Sequence, residues 1–181
     1  FNKKNIYMSC LISAGKLLGC KDQRGGYKNL YFANYDDYSF VIAAHQVTDL
    51  GSLDEVFKYE VKATTNTLTE TGTSSQDNGT FLNAQSLAVT LPKLSADLQG
   101  QIQLICASRP YVFVEDYNGN ILLVGAANGT MSNCTKVTGG AGADLSGFTL
   151  TIAGEESNLS PFLDSATKSA LFALVSNVVV S

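Results

Sequence analysis

One histidine, no tryptophan and three prolines occur among 181 residues, and only 15% of the residues are charged. Each scarcity closes a class of function. A lone His45 cannot build a multi-histidine metal site, and it has no Ser or Cys motif beside it to serve as a nucleophile. Cys10, Cys20, Cys106 and Cys134 make no CxxC pair. Their scatter reads as thiols in a reduced compartment, with a Cys10–Cys20 bridge open on spacing alone. No GxSxG elbow is present. "TGGAGAD" is glycine-rich but has no Lys-Ser/Thr to follow it, so it is not a phosphate loop. No calcium or zinc donor set and no cofactor motif stands out. The net charge is −4 with no basic cluster, which argues against sequence-specific reading of nucleic acid. Basic residues lean toward the N-terminal end: Lys3, Lys4, Lys16, Lys21, Arg24 and Lys28. The apolar stretch "SALFALVSNVVV" is too short to span a bilayer, and "YMSCLISAG" lacks the length and flanks of a signal peptide. The protein is therefore expected to be made in the cytoplasm and not exported. Phe1 cannot initiate translation, which makes Met8 the candidate start. Asn-x-Ser/Thr triplets at Asn78, Asn128, Asn133 and Asn158 are expected by chance in a chain this rich in small polar residues, and no glycans are assigned.

What remains is 45% hydrophobic, enough for one domain over residues 1–181 with a sizeable core. Its first 26 residues form a glycine-bearing arm closed by Gly25-Gly26. "YKNLYFANYDDYSFVIA" then packs many aromatics into a strand, a turn at Asn34–Asp37 and a second strand over Phe40–Ala43. From Phe57 the period is two: Phe57, Tyr59, Val61 and Ala63 alternate with Lys58, Glu60, Lys62 and Thr64. The pattern runs on through Thr65, Thr67 and Thr69 to a turn at Asn78-Gly79, then returns with Leu87, Val89 and Leu91 on one face. Phe57–Leu91 therefore reads as one long β-hairpin with a polar tip.

A helix is predicted after Ser95, which can cap it, with Asp97 in its first turn and Leu94, Leu98, Ile102 and Ile105 on one face. Arg109-Pro110 ends it. "YVFVEDYNGNILLVGA" is a tight hairpin around Asn118-Gly119. Residues 127–147 read as a flexible glycine-rich loop, Phe148–Ile152 as a strand, and residues 157–181 as a C-terminal element with a short helix from Ser160-Pro161 and an edge strand or partner contact at "VVV". The fold class is mainly β, a β-sandwich or half-barrel with one or two flanking α-helices and the long hairpin.

The acids offer little chemistry. Glu115 and Asp116 point to opposite faces of one strand and cannot flank one bond, so they are expected to keep the turn hydrated. Asp36-Asp37 and Asp54-Glu55 sit at turns. His45 reads as a structural residue. An enzyme is not expected.

The order of pieces has a likeness elsewhere. "LPKLSADLQGQIQLICASRPYVFVEDYNGNILLVGAANG", a glycine-rich loop and "GADLSGFTLTIAGEE" resemble virion structural proteins of tailed bacteriophages, in particular the tail-tube type of phages infecting Bacteroides-like hosts. "MSCLISAGKLLGCKDQRGGYKNLYFANYDD" is similar to the same group, so the resemblance covers Met8 to about Glu156. It implies hexameric rings whose sheets join into one inner barrel, stacked into a tube that conducts viral DNA without reading it. The implied partners are copies of the chain itself and other tail proteins, with no membrane and no cofactor. The implied location is the virion tail, after synthesis in the bacterial cytoplasm. Another virion role, such as head decoration, connector or stopper, is the alternative, and beyond it a β-sandwich host-binding module. On the tube reading, Glu60, Lys62, Thr64, Asn66 and Glu70 line the channel, joined by Ser86, Ala88 and Thr90. Tyr59, Val61, Leu87, Val89 and Leu91 then belong to an intersubunit hairpin.

Overall fold

The computed structural model describes residues 12–62 and 65–180. The chain folds as β1 (Tyr27–Ala33), β2 (Val41–Ala43), β3 (Gln46–Asp49), β4 (Phe57–Glu60), β5 (Thr67–Ser75), β6 (Thr80–Pro92), α1 (Ala96–Ala107), β7 (Tyr111–Asp116), β8 (Ile121–Val124), β9 (Met131–Val137), β10 (Gly147–Glu156), β11 (Phe162–Leu163) and α2 (Ser165–Ala173). Two sheets result: a seven-stranded sheet ordered β2-β3-β11-β8-β7-β1-β4, and a four-stranded antiparallel sheet ordered β5-β6-β10-β9. The fold is mainly β with two helices, as the alternation predicted.

Two cores explain the layering. Between the sheets, Leu30, Phe32, Val112 and Val114 meet Leu87, Val89, Leu150 and Ile152, and Ile102 and Ile105 of α1 close that core. On the other face of the larger sheet, Tyr31, Phe113, Ile121 and Leu123 pack against Val47, Val56 and Leu171 of α2. The larger sheet is thus covered on both faces, which is why "YVFV" in β7 reads as a continuous apolar run instead of an alternation. Side chains of the four-stranded sheet alternate as one-sided burial demands.

The helix α1 is capped as its sequence predicts: Ser95 Oγ accepts from the Leu98 amide at 3.2 Å. Three expectations are corrected. Phe57–Leu91 is not one hairpin: β4 pairs with β1 in the larger sheet, and only β5 and β6 form the hairpin. The chain changes sheets between β4 and β5, and there buried Asn66 donates to the Lys62 carbonyl at 2.6 Å and accepts from the Thr90 amide at 2.9 Å. Residues 127–147 are not all loop, because β9 lies within them and pairs with β10 over its whole length. The loop that remains is held by Asp144, which accepts from the amides of Gly140 and Ala141 at 2.9 and 2.7 Å; those bonds hold its carboxyl below the usual range. Finally, α2 starts at Ser165 with Asp164 as its cap, not at Ser160-Pro161, because Phe162–Leu163 first pairs with β3 and β8.

Candidate assembly surfaces and an aromatic-acidic pocket

The residues expected to line a channel do not share a wall. Glu60 stands exposed on β4, the edge of the larger sheet, 2.8 Å from Lys58, whose ammonium holds its carboxyl below the usual range. Lys62 is exposed on the crossing segment. Thr64 lies outside the described residues. Asn66 is buried, so it lines nothing. Glu70 pairs in register with Gln85 on the inner face of its sheet, and its Oε2 accepts from the Ser160 amide at 3.1 Å and from Asn83 at 3.3 Å. β4 and β5 belong to different sheets, so the period of two does not carry through from one to the other and the expected faces are exchanged. Leu87, Val89 and Leu91 are buried in the core between the sheets of the subunit itself, and the partly buried Tyr59 and Val61 pack against the same core.

The face that does look outward is small and uncharged at its centre. Register places Thr67, Ala88, Thr151 and Asn133 in one row across the four strands, and Thr69, Ser86, Ala153 and Met131 in the next. Thr90, Thr149 and Thr135 form a third. The returning-arm residues Ser86, Ala88 and Thr90 are thus on this outer face. Its two edges, β5 and β9, pair with no other strand among the described residues. Such edges invite further pairing.

Two elements project from this body. The β5–β6 hairpin overhangs it: β10 pairs with β6 only as far as Asn83, so Thr80–Leu82 have β5 alone, and Phe81 and Leu82 are 54% and 44% exposed. Residues 12–25 carry no regular structure and are all exposed, with Ile12, Leu17 and Leu18 at 92% or more. The root of this arm is pinned: Arg24 exchanges backbone bonds with the Asn118 amide side chain at 3.0 and 2.9 Å and stacks its guanidinium 4.0 Å from the Tyr117 ring.

At the opposite end of β1 opens a cavity of about 800 Å³. The "NYDDYSF" segment supplies Tyr35, Asp36, Asp37, Tyr38 and Phe40, with Tyr111 and Glu156 behind them. Tyr35 stacks on Tyr111 at 5.3 Å, Phe40 meets Tyr111 edge-on at 5.0 Å, and the Tyr111 hydroxyl donates to the Asp36 carbonyl at 2.9 Å. Gly129 lies so close that a Cβ would stand 2.8 Å from the Tyr35 ring, at a φ of +69°. Ser39, Ala44 and His45 have φ of 56°, 49° and 63°, a left-handed cluster of non-glycine residues on the rim. Such backbone strain persists only where packing enforces it, and it gathers at binding sites. Burial raises the Tyr38 and Tyr111 hydroxyls first, and nearby acids, Asp54 and Asp36 for Tyr38 and Asp37 and Asp36 for Tyr111, raise them further. Sequence reasoning noticed the aromatics of this segment but treated its acids as turn residues. The signal was their interleaving with tyrosine.

Glu115 is not a solvated turn acid. It is buried, 2.9 Å from Lys28 Nζ, and accepts from Asn29 and Tyr31 at 2.7 and 2.8 Å. Burial pushes its carboxyl up, but these partners outweigh that and leave it below the usual range. Asp116, on the other face, organises the turn by accepting from the amides of Asn118 and Asn120, each at 2.8 Å. His45 is exposed on the rim, and its carbonyl accepts from the Phe162 amide at 3.0 Å. Cys20, Cys106 and Cys134 are free thiols, while Cys10 lies outside the described residues. No described helix is long and apolar enough to cross a membrane. Comparison with protein-family models, with curated proteins and with solved structures finds no match.

Proposed function

We propose that this chain is a structural subunit of a tailed-bacteriophage virion, of the tail-tube type, which closes into hexameric rings around a DNA-conducting bore. The observation that carries the reading is the four-stranded sheet, with two open edges and an outer face whose central rows are Thr, Ser, Ala and Asn, with Met131 at the β9 edge and Glu155 toward one end. Successive strands in it are antiparallel, so β5 and β9 run in opposite directions. A neighbour's β9 laid against β5 therefore continues the antiparallel order, and the same contact repeated around a ring uses up both edges of the four-stranded sheet. Six copies contribute 24 strands. At ~4.8 Å per strand, they enclose about 37 Å between backbones before any tilt widens the barrel.

The face turned to the bore on this reading carries no Lys or Arg to hold phosphates, and the net charge of −4 discourages sticking. Threonine and serine hydroxyls keep the wall wet without fixing a charge. The overhanging hairpin and the exposed arm are elements a solitary subunit leaves uncovered. Native mass spectrometry across rising protein concentration tests the reading. A six-chain species that grows at the expense of the monomer supports it. A monomer that persists at the highest soluble concentration, or a dimer closed on itself, rejects it.

A further inference from the structure

The arm and the cavity sit at opposite ends of one strand. β1 places Tyr27 beside Asp116, next to the root of the arm, and Ala33 beside Tyr111, at the wall of the cavity. About 20 Å of strand separates them. Subunits stacked head to tail thus bring one copy's arm toward the next copy's cavity, and such a contact repeats without closing on itself. Residues 12–24, fully extended, reach about 45 Å, which exceeds that separation.

The two are chemically complementary. The arm from residue 12 to 25 carries Lys16, Lys21 and Arg24 against one acid, Asp22, with Leu17 and Leu18 beside the lysines. The cavity is lined by Asp36, Asp37 and Glu156, by tyrosine and phenylalanine rings, and by no lysine or arginine. Aromatic faces accept both aliphatic side chains and ammonium groups. The cavity already shows the preference at its edge, where the Arg109 guanidinium lies 4.6 Å from the Tyr35 ring. Asp36 and Asp37 are exposed and accept only from the neighbouring amides of Asp37 and Ser39, whereas Glu156 is buried and accepts from the amides of Ala127 and Asn128, so Asp36 and Asp37 are the acids placed to meet a cationic chain.

We propose that the basic, leucine-bearing arm of one copy inserts into the aromatic-acidic cavity of the next copy and links rings axially. Leu17 and Leu18 pack against the aromatic rim formed by Tyr38, Phe40 and the exposed edge of Tyr35, and Lys16 and Lys21 face Asp36 and Asp37. This inference rests on the assembly reading for its geometry, but its chemistry is tested apart from it.

The probe is a fluorescent peptide of residues 12–26, titrated against the full chain and followed by anisotropy. Saturable binding is expected, weakening as salt rises. Lys16→Glu with Lys21→Glu in the peptide should weaken it by about tenfold or more. Asp36→Lys with Asp37→Lys in the protein should do the same to the native peptide and should restore the charge-reversed one. Should that protein variant fail to fold, the peptide substitutions against the unaltered chain still decide. Loss of axial stacking in full-length Lys16→Glu/Lys21→Glu, with six-chain rings intact, supports the contact. Rings that stack unchanged, with no peptide binding, remove the arm contact and leave the ring reading standing. Peptide binding by a chain that forms no rings keeps the contact and removes the ring. A neutral oligosaccharide that saturates the cavity, with the peptide inert, overturns the proposal in favour of a host-binding site.

Discussion

Glu115 shows how a residue's role depends on a neighbour far along the chain. In the sequence it sits beside Asp116 next to a turn, and both look solvated. In the fold, Lys28, Asn29 and Tyr31 of β1 enclose it. Nothing in the local pattern states that β1 pairs with β7, so its burial was not legible, although its opposition to Asp116 was. Glu115→Ala strands the donors of Asn29 and Tyr31 and is expected to cost about 2–4 kcal/mol in urea unfolding; most of this comes from those donors, because Lys28 is partly exposed. The pH dependence has a definite sign. Its carboxyl is held below 4.5, so the stabilisation is complete above 4.5 and drains away as pH falls through the lowered value. Glu115→Gln should flatten the acid limb of the stability curve relative to the parent; an unchanged limb would show that the carboxylate contributes nothing there. Among the thiols, Cys106 is pushed up to about 12, by burial first and then by the facing Cys134, while Cys20 is exposed. Iodoacetamide near neutral pH should label Cys20 well before Cys106, as tryptic mapping would read out; equal rates would contradict this placement.

At the scale of elements, the strong periodic signals were legible and the interruptions were not. The capped helix α1, the β7–β8 hairpin and the alternation of β6 and β10 follow from caps, turn residues and period. β9 was missed because Met131, Asn133, Thr135 and Val137 alternate with Ser132, Cys134 and Lys136, a pattern with little polarity contrast set among glycines. The long hairpin was over-extended because β4 and β5 share a period of two, and only the buried Asn66 marks the crossing between sheets. The face expected to hold Glu60, Lys62, Asn66 and Glu70 together is not formed, while Ser86, Ala88 and Thr90 share one outward face, since they lie within one uninterrupted strand. The overhang of β5–β6 has a direct consequence. Phe81 and Leu82 support no core, so Phe81→Ser with Leu82→Ser should leave the unfolding midpoint within about 1 kcal/mol of the parent and weaken ring or stack formation in sedimentation. A large loss of stability with assembly intact would place these side chains inside the fold's own economy instead.

For the whole molecule, the account turns on one sheet having two open edges and a plain face. A bore lined by hydroxyls should be sensitive to charge in one direction only. Thr69→Lys with Thr151→Lys puts cations on adjacent rows of that face, where they can hold phosphates. Particles built from this variant are expected to assemble and to release DNA more slowly in a fluorescence ejection assay, with the delay shrinking in high salt; the same change to Glu at these positions should have little effect. The measurement that tests the central claim most directly is electron cryomicroscopy of the assembled chain. The account predicts a six-fold ring in which β5 of each copy pairs with β9 of its neighbour, closing 24 strands with Thr67, Thr69 and Thr151 facing the bore. A ring whose four-stranded sheets face outward, or whose β5 and β9 edges remain unpaired between copies, would contradict it.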